Sequence, residues 1–228
     1  MNDIVDRGLT AHLNRFDART QGATARLGWK VAFNVRSVQE RLGLSGSIVA
    51  GLTRATLHDG ARPYSLAGAT RPALEAEVVV WLGRNIAAED PEEQVAAAIA
   101  AWAPAIELVD FDRPFDELET ILAEGVFHRA VVLGARTPVT ADADLARHRV
   151  HVEHGGRVVC DVDAREATGH APAVLSHLAR LLAPYGHFLA AGDIVILGSM
   201  NPLTLAEAGK TFAVSIDGLG ATSLSLTA

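Results

Sequence analysis

Leu74-Glu75-Ala76-Glu77-Val78-Val79-Val80-Trp81-Leu82 is the stretch on which the reading of this chain turns. Its β-branched run predicts a strand, and alternate side chains of a strand share a face. Glu75 and Glu77 therefore stand on one side, followed by Val79 and Trp81. Two carboxylates roughly 7 Å apart beside apolar surface repel each other, and loss of water makes this worse. Solvent at the strand's end, a basic side chain or a cation must offset the repulsion. Further on, Ala105-Ile106-Glu107-Leu108-Val109 predicts a second buried strand with a carboxylate inside an apolar run, which is costly if unpaired. Three carboxylates with no cysteine near them are hard oxygen ligands suited to Mg²⁺ or Mn²⁺. The alternative is a wet strand edge, with Glu107 paired to an arginine.

Upstream, Leu27 to Phe33 also alternates. Leu27, Trp29, Val31 and Phe33 form a bulky face, and Gly28, Lys30, Ala32 and Asn34 form the other. A lysine between two small residues has open space above it, as a pocket wall would. It could bind a carboxylate or act as an acid–base group; otherwise its ammonium snorkels off an edge strand.

Further elements follow from the pattern. Residues 1–26 are polar and weakly helical and form an N-terminal arm; 27–228 reads as one catalytic-type domain. Val35 to Leu42 predicts a short helix. Asp90-Pro91-Glu92-Glu93 opens another, with Asp90 as N-cap, running to about Trp102 before Pro104. Phe115–Ala123 and Pro172–Ala183 predict helices. Ala130–Leu133 and Asp193–Leu197 predict strands, and Arg149–Asp163 and Thr211–Leu226 predict hairpins. Strands outnumber helices and do not alternate with them. This favours an α+β fold with a mixed, strongly bent sheet roll or barrel over a doubly wound sheet.

Composition sets the outer limits. The 228 residues are 49% hydrophobic and 21% charged, with a formal net charge of −7 and a single cysteine, Cys160. The acidic balance argues against nucleic acid or an anionic membrane as partner. One cysteine excludes an internal disulfide and suits a reducing compartment. The polar start Met1–Thr10 is unlike a signal peptide, and the longest apolar run is broken by Pro104 and Glu107, so a cytoplasmic location is expected. No glycine-rich nucleotide motif follows a strand. Ser199, after Gly198, has no nucleophile elbow around it; backbone amides there could meet a carboxylate. His128, after the Glu124-Gly125 turn, could overhang a pocket.

The order of these pieces resembles a known family. Gly28-Trp29-Lys30-Val31 is followed by Gln39-Glu40-Arg41-Leu42-Gly43, Asp59-Gly60-Ala61 and Leu74-Glu75-Ala76-Glu77-Val78. Then come Pro104 to Asp110, Val131-Val132-Leu133-Gly134, the Gly155-Gly156 hairpin, Ala191 to Ser199, and Gly218-Leu219-Gly220-Ala221. From about Leu27 to Leu226 the chain resembles the 2-keto-4-pentenoate hydratase and 4-oxalocrotonate decarboxylase group of the fumarylacetoacetate hydrolase superfamily. The resemblance implies a β-roll with flanking helices, like the C-terminal domain of fumarylacetoacetate hydrolase. It implies Mg²⁺ or Mn²⁺ held by Glu75, Glu77 and Glu107, Lys30 as substrate-binding and acid–base residue, and Ser199 in the substrate pocket. The implied activity is that of a hydratase-like lyase in aromatic compound catabolism, acting on a small 2-oxo acid or its dienol through a metal-chelated enolate. Decarboxylation would use the same enolate. A homo-oligomer is implied, and a hetero-complex with a related family member, in which a non-catalytic partner is conceivable. C–C hydrolysis would want a His–Glu pair near the metal, for which His128 with Glu124 is the candidate. Three features depart from the family's usual pattern: a short N-terminus, no acidic residue in Ser45–Ala50, and Ala123-Glu124-Gly125 in place of Ala-Asp-Asn.

Overall fold

The computed structural model describes residues 3–21, 25–139, 148–164 and 169–228. In chain order its strands begin with β1 (Arg26–Ala32), β2 (Ile48–Thr53), β3 (Tyr64–Ser65), β4 (Pro72–Leu82), β5 (Ile99–Asp110), β6 (His128–Leu133) and β7 (Thr137–Pro138). They continue with β8 (Arg149–His154), β9 (Arg157–Asp163), β10 (Ile194–Ile196), β11 (Thr204–Leu205), β12 (Thr211–Ile216) and β13 (Gly220–Thr227). The described helices are α1 (Asp3–Arg19), α2 (Arg36–Leu42), α3 (Glu92–Ala96), α4 (Leu118–Ala123) and α5 (Ala171–Leu182).

The long antiparallel pair β4–β5 is the spine, in register from Pro72 opposite Asp110 to Trp81 opposite Ala101. Strand order in the main sheet is β2-β1-β10-β4-β5-β6, with β11 on β4 and β7 on β5. It is mixed: β1 runs parallel to β10, and the other pairs are antiparallel. A second sheet has the order β3-β13-β12-β8-β9. The architecture is thus α+β, with a strongly curled mixed sheet and few helices. At the parallel junction Gly28 has φ 150°, and a Cβ there would lie 2.0 Å from the Ile194 carbonyl oxygen, so only glycine lets β1 approach β10 so closely.

Strand alternation divides β4 between two tasks. Leu74, Ala76, Val78, Val80 and Leu82 enter the main core with Phe212, Val214 and Leu224 of the second sheet and with Leu175 and Leu178 of α5. The opposite face carries Glu75, Glu77 and Val79, and Val79 packs with Leu52, Ala103, Ala105, Val131 and Ile196. Burial on both faces explains why β4 and β5 read as nearly continuous apolar runs.

Two expectations change. The helix expected from Pro91 to Trp102 covers only Glu92–Ala96, and the chain enters β5 at Ile99. Asp90 is not its N-cap; Pro91 is, and the Asp90 carboxylate accepts the Ala87 N–H instead. Alanine's helix preference is worth only tenths of a kcal/mol per residue, and pairing with β4 under full burial outweighs it. Within residues 1–26, α1 is a 17-residue helix whose Val5, Leu9, Leu13 and Phe16 are buried, packed against α4 and β2. No described helix is long and apolar enough to cross a membrane.

His12 pins α1 to the sheet: its Nε2 accepts the Gly51 N–H at 2.8 Å. Burial holds the imidazole's pKa down to about 4. The unfolded chain, with an ordinary pKa near 6.5, therefore takes up the proton first, so His12's contribution is full above 6.5 and is lost as pH falls to about 4. His12→Gln keeps an acceptor but removes the titration. In urea melts, the stability lost by the wild type between pH 7 and 4 should exceed that lost by His12→Gln by on the order of 3 kcal/mol. Parallel pH profiles would mean that His12 is not held neutral.

Candidate active site

The polar face of β4 meets the third carboxylate because of strand register. Glu75 lies directly opposite Glu107, and Glu77 lies two residues along on the same face. One carboxylate oxygen from each of the three lies within 4.8 Å of those from the others. Glu77 and Glu107 are each 1% exposed, while Glu75 is partly buried. Burial, then the Glu107 charge, raises the Glu75 carboxyl to about 7; the same causes, with Glu75 added, lift Glu77 well above the ordinary carboxylate range. For Glu107 burial also pushes upward, but the Lys30 ammonium and His128 together outweigh it and hold the carboxyl below its ordinary value. Glu107 is therefore the member of the trio most firmly kept as a carboxylate.

Lys30 reaches it from across the sheet. Its strand is interior, between β2 and β10, and the residue is 2% exposed, which replaces the reading of a lysine snorkelling off an edge. The Lys30 Nζ donates to Glu107 Oε1, and to the Val126 carbonyl at 3.1 Å. Glu107 Oε2, buried, has no hydrogen-bond partner. An orphaned carboxylate oxygen, next to two carboxyls that resist ionisation, is the arrangement a hard cation would relieve. The residues present fit a divalent metal.

His128 is placed by a bulge. Glu107 pairs with Val131 and Leu108 with Ala130, but Val109 pairs with His128, leaving Arg129 as the extra residue. Without that shift His128 would face away from Glu107. With it, Nδ1 lies 2.7 Å from Glu107 Oε1 and Nε2 lies 2.9 Å from Thr56 Oγ1. The His128–Glu124 pair considered from sequence does not form: Glu124 takes the Arg113 guanidinium at 2.6 Å instead. Gly198 donates its N–H to Glu77 Oε2, and Ser199 Oγ donates to the Asn201 carbonyl at 3.3 Å.

Lys30, Glu75, Glu77 and Ser199 border one cavity of about 340 Å³, with Asn34 and Asn201 beside them. Thr56, Val126 and Asn201 escaped the sequence reading. The Gly125 turn was a signal that the chain reverses near Val126; nothing local marks the other two.

The Fumarylacetoacetate (FAA) hydrolase C-terminal family matches residues 21–226. A 2-keto-4-pentenoate hydratase of Burkholderia vietnamiensis is 28% identical over 218 residues, covering 92% of this chain and 82% of the relative. A 4-oxalocrotonate decarboxylase of a Pseudomonas species is 26% identical over 226 residues, covering 98% and 85%. Among solved structures, the 4-oxalocrotonate decarboxylase of Pseudomonas putida G7, complexed with magnesium and adipate, superimposes with a TM-score of 0.82 at 22% identity, covering 94% of this chain and 81% of that one.

The charge allocation has a direct test in the presence of chelator. Glu107→Gln leaves the Lys30 ammonium buried without its counter-charge and should destabilise the protein by about 3 kcal/mol. Glu75→Gln removes a repelling carboxyl and should be neutral or stabilising by up to about 1 kcal/mol, since water screens this partly exposed group. Equal losses in the two variants, measured by chemical denaturation, would contradict this division of charge.

Proposed function

Since the chain belongs to the fumarylacetoacetate hydrolase C-terminal family, we propose that it is a divalent-metal-dependent lyase of the hydratase type, acting on a small 2-oxo acid or its dienol. The observation that carries this reading is the convergence of Glu75, Glu77 and Glu107, with Glu75, Glu77 and Lys30 bordering one cavity. The named activities of the hydratase and decarboxylase relatives support it.

Glu75, Glu77 and Glu107 would hold Mg²⁺ or Mn²⁺. When bound, the cation would draw negative charge from the carboxylate and keto oxygens of a 2-oxo acid, making a proton on the adjoining carbon easier to remove.

The remaining work falls to the chain. An ammonium has three N–H groups and no lone pair, so Lys30 does not bind the cation. Two of its N–H groups have acceptors, Glu107 and the Val126 carbonyl, leaving one for a substrate carboxylate or for a proton passing at Nζ. Glu107 and the Val126 carbonyl hold Nζ at one point, as an acid–base group requires. The Gly198 N–H orients Glu77, so the Gly198-Ser199 corner acts on the site through the backbone. Loss of CO₂ from a 2-oxo acid would draw on the same groups, and CO₂ release in the assay separates the two outcomes.

Lys30→Met keeps the stem and removes the charge. Mg²⁺ or Mn²⁺ at millimolar concentration should still raise its melting temperature, because a ligand bound only by the folded state stabilises it. Its turnover of 2-oxo acids or dienols should fall ~100-fold or more. Glu77→Gln should lose the metal-induced shift as well. Full activity in Lys30→Met, or an undiminished shift in Glu77→Gln, would overturn the assignment.

A further inference from the structure

The cavity beside the carboxylates is also lined by aromatic rings. Phe33, Phe111, Phe115 and Phe127 border it, and they touch in series. Ring centroids are 6.4 Å apart for Phe33–Phe115, 6.0 Å for Phe111–Phe115, 5.0 Å for Phe111–Phe127 and 5.5 Å for Phe115–Phe127. Four of the chain's seven phenylalanines are thus gathered on one cavity wall.

Backbone conformation marks the same wall. Among the described residues, the non-glycine residues with positive φ are Phe33 (53°), Val126 (55°) and Phe127 (62°), and all three border this cavity. Left-handed backbone is unfavourable for such residues, most of all for a β-branched valine. The end of α4 accounts for Gly125, at φ 85°, because the Val126 N–H closes back onto the Ile121 carbonyl. It does not account for the two left-handed residues that follow. What those two achieve is placement. The Val126 carbonyl is aimed at the Lys30 ammonium, and the Phe127 ring is set against Phe111 and Phe115. Strain that persists at a cavity wall is a mark of a site whose shape matters.

Charge is sparse along the same lining. Among the described residues bordering the cavity, Lys30 is the one cation, and it is already paired with Glu107. The uncharged polar side chains that border it, Asn34, Ser199 and Asn201, carry no positive charge, so a second carboxylate on a substrate would find no cation of its own among the described lining residues. The Arg41 guanidinium lies over the Phe115 ring, 5.4 Å from its centroid, but does not border the cavity. Pyruvate has six non-hydrogen atoms and a phenyl ring adds six; even at roughly 30 Å³ each, the share of one liquid water and more than a bonded atom needs, twelve come to about 360 Å³, close to the cavity's volume of about 340 Å³.

We propose that the phenylalanine wall is a tail subsite. It makes the substrate class a 2-oxo monocarboxylate with an uncharged, apolar tail of about aryl size, rather than a 2-oxo dicarboxylate. This rests on the reading under Proposed function, and names the half of the substrate which that reading leaves open.

Calorimetric titration of the wild-type protein at fixed, saturating Mg²⁺ tests it with three probes: pyruvate, 3-phenylpyruvate and 2-oxoglutarate. 3-Phenylpyruvate should bind ~10-fold or more tightly than pyruvate, and 2-oxoglutarate no more tightly than pyruvate. Phe115→Ala should lower the ratio of 3-phenylpyruvate to pyruvate affinity ~5-fold or more. Tighter binding of 2-oxoglutarate than of 3-phenylpyruvate overturns the proposal, as does an unchanged ratio in a folded Phe115→Ala. Binding of pyruvate without gain from the phenyl tail overturns the tail subsite alone. Failure of all three acids to bind, while Mg²⁺ still raises the melting temperature, overturns the 2-oxo acid reading and this inference with it.

Discussion

Three carboxyl groups share one largely buried face, and a single buried ammonium answers them. Lys30 pairs with Glu107, and among the described residues Glu75 and Glu77 face each other and Glu107 without an ion pair of their own. Burial makes their ionisation costly and their repulsion strong. The fold tolerates this arrangement because its apolar core is extensively buried. Trp29, Val78, Val80, Leu175, Phe212 and Val214 are fully buried around it. A stable scaffold that keeps a poorly compensated cluster of charge at one cavity is what a site for a cationic ligand demands.

The same strand supplies both the stability and the chemistry. One face of β4 is continuous with the second sheet and α5, and the other face carries the carboxylates and borders the cavity. Such a division makes the site rigid, because each glutamate backbone is held by ladder pairing on β5 and by packing beneath. Charge and strain meet on the neighbouring loop. Val126 spends an unfavourable backbone conformation to give Lys30 a second acceptor, and Phe127 follows it into the aromatic wall. The bulge at Arg129, one residue beyond His128, turns that imidazole onto Glu107. Within four residues, then, three departures from regular backbone each serve the site.

What the sequence determined by itself was whatever depends on local alternation. The β-branched run of β4 and its period of two put Glu75 and Glu77 on one face, and the apolar context of Glu107 marked it as a buried group needing a partner. The gap of small residues around Lys30 marked a lysine with space over it, and the order of short motifs was enough to suggest the family. Tertiary structure alone decided the rest. Whether residues 99–102 continue a helix or begin β5 depended on the presence of β4 as a pairing partner, which no local propensity encodes. Which imidazole met which carboxylate depended on one extra residue in β6, because a one-residue slip reverses every facing beyond it. That Lys30 lies inside the sheet and not at its edge depended on β10, which arrives more than 160 residues later in the chain. Pattern reports which side of a strand a residue occupies, whereas only long-range pairing brings those sides together.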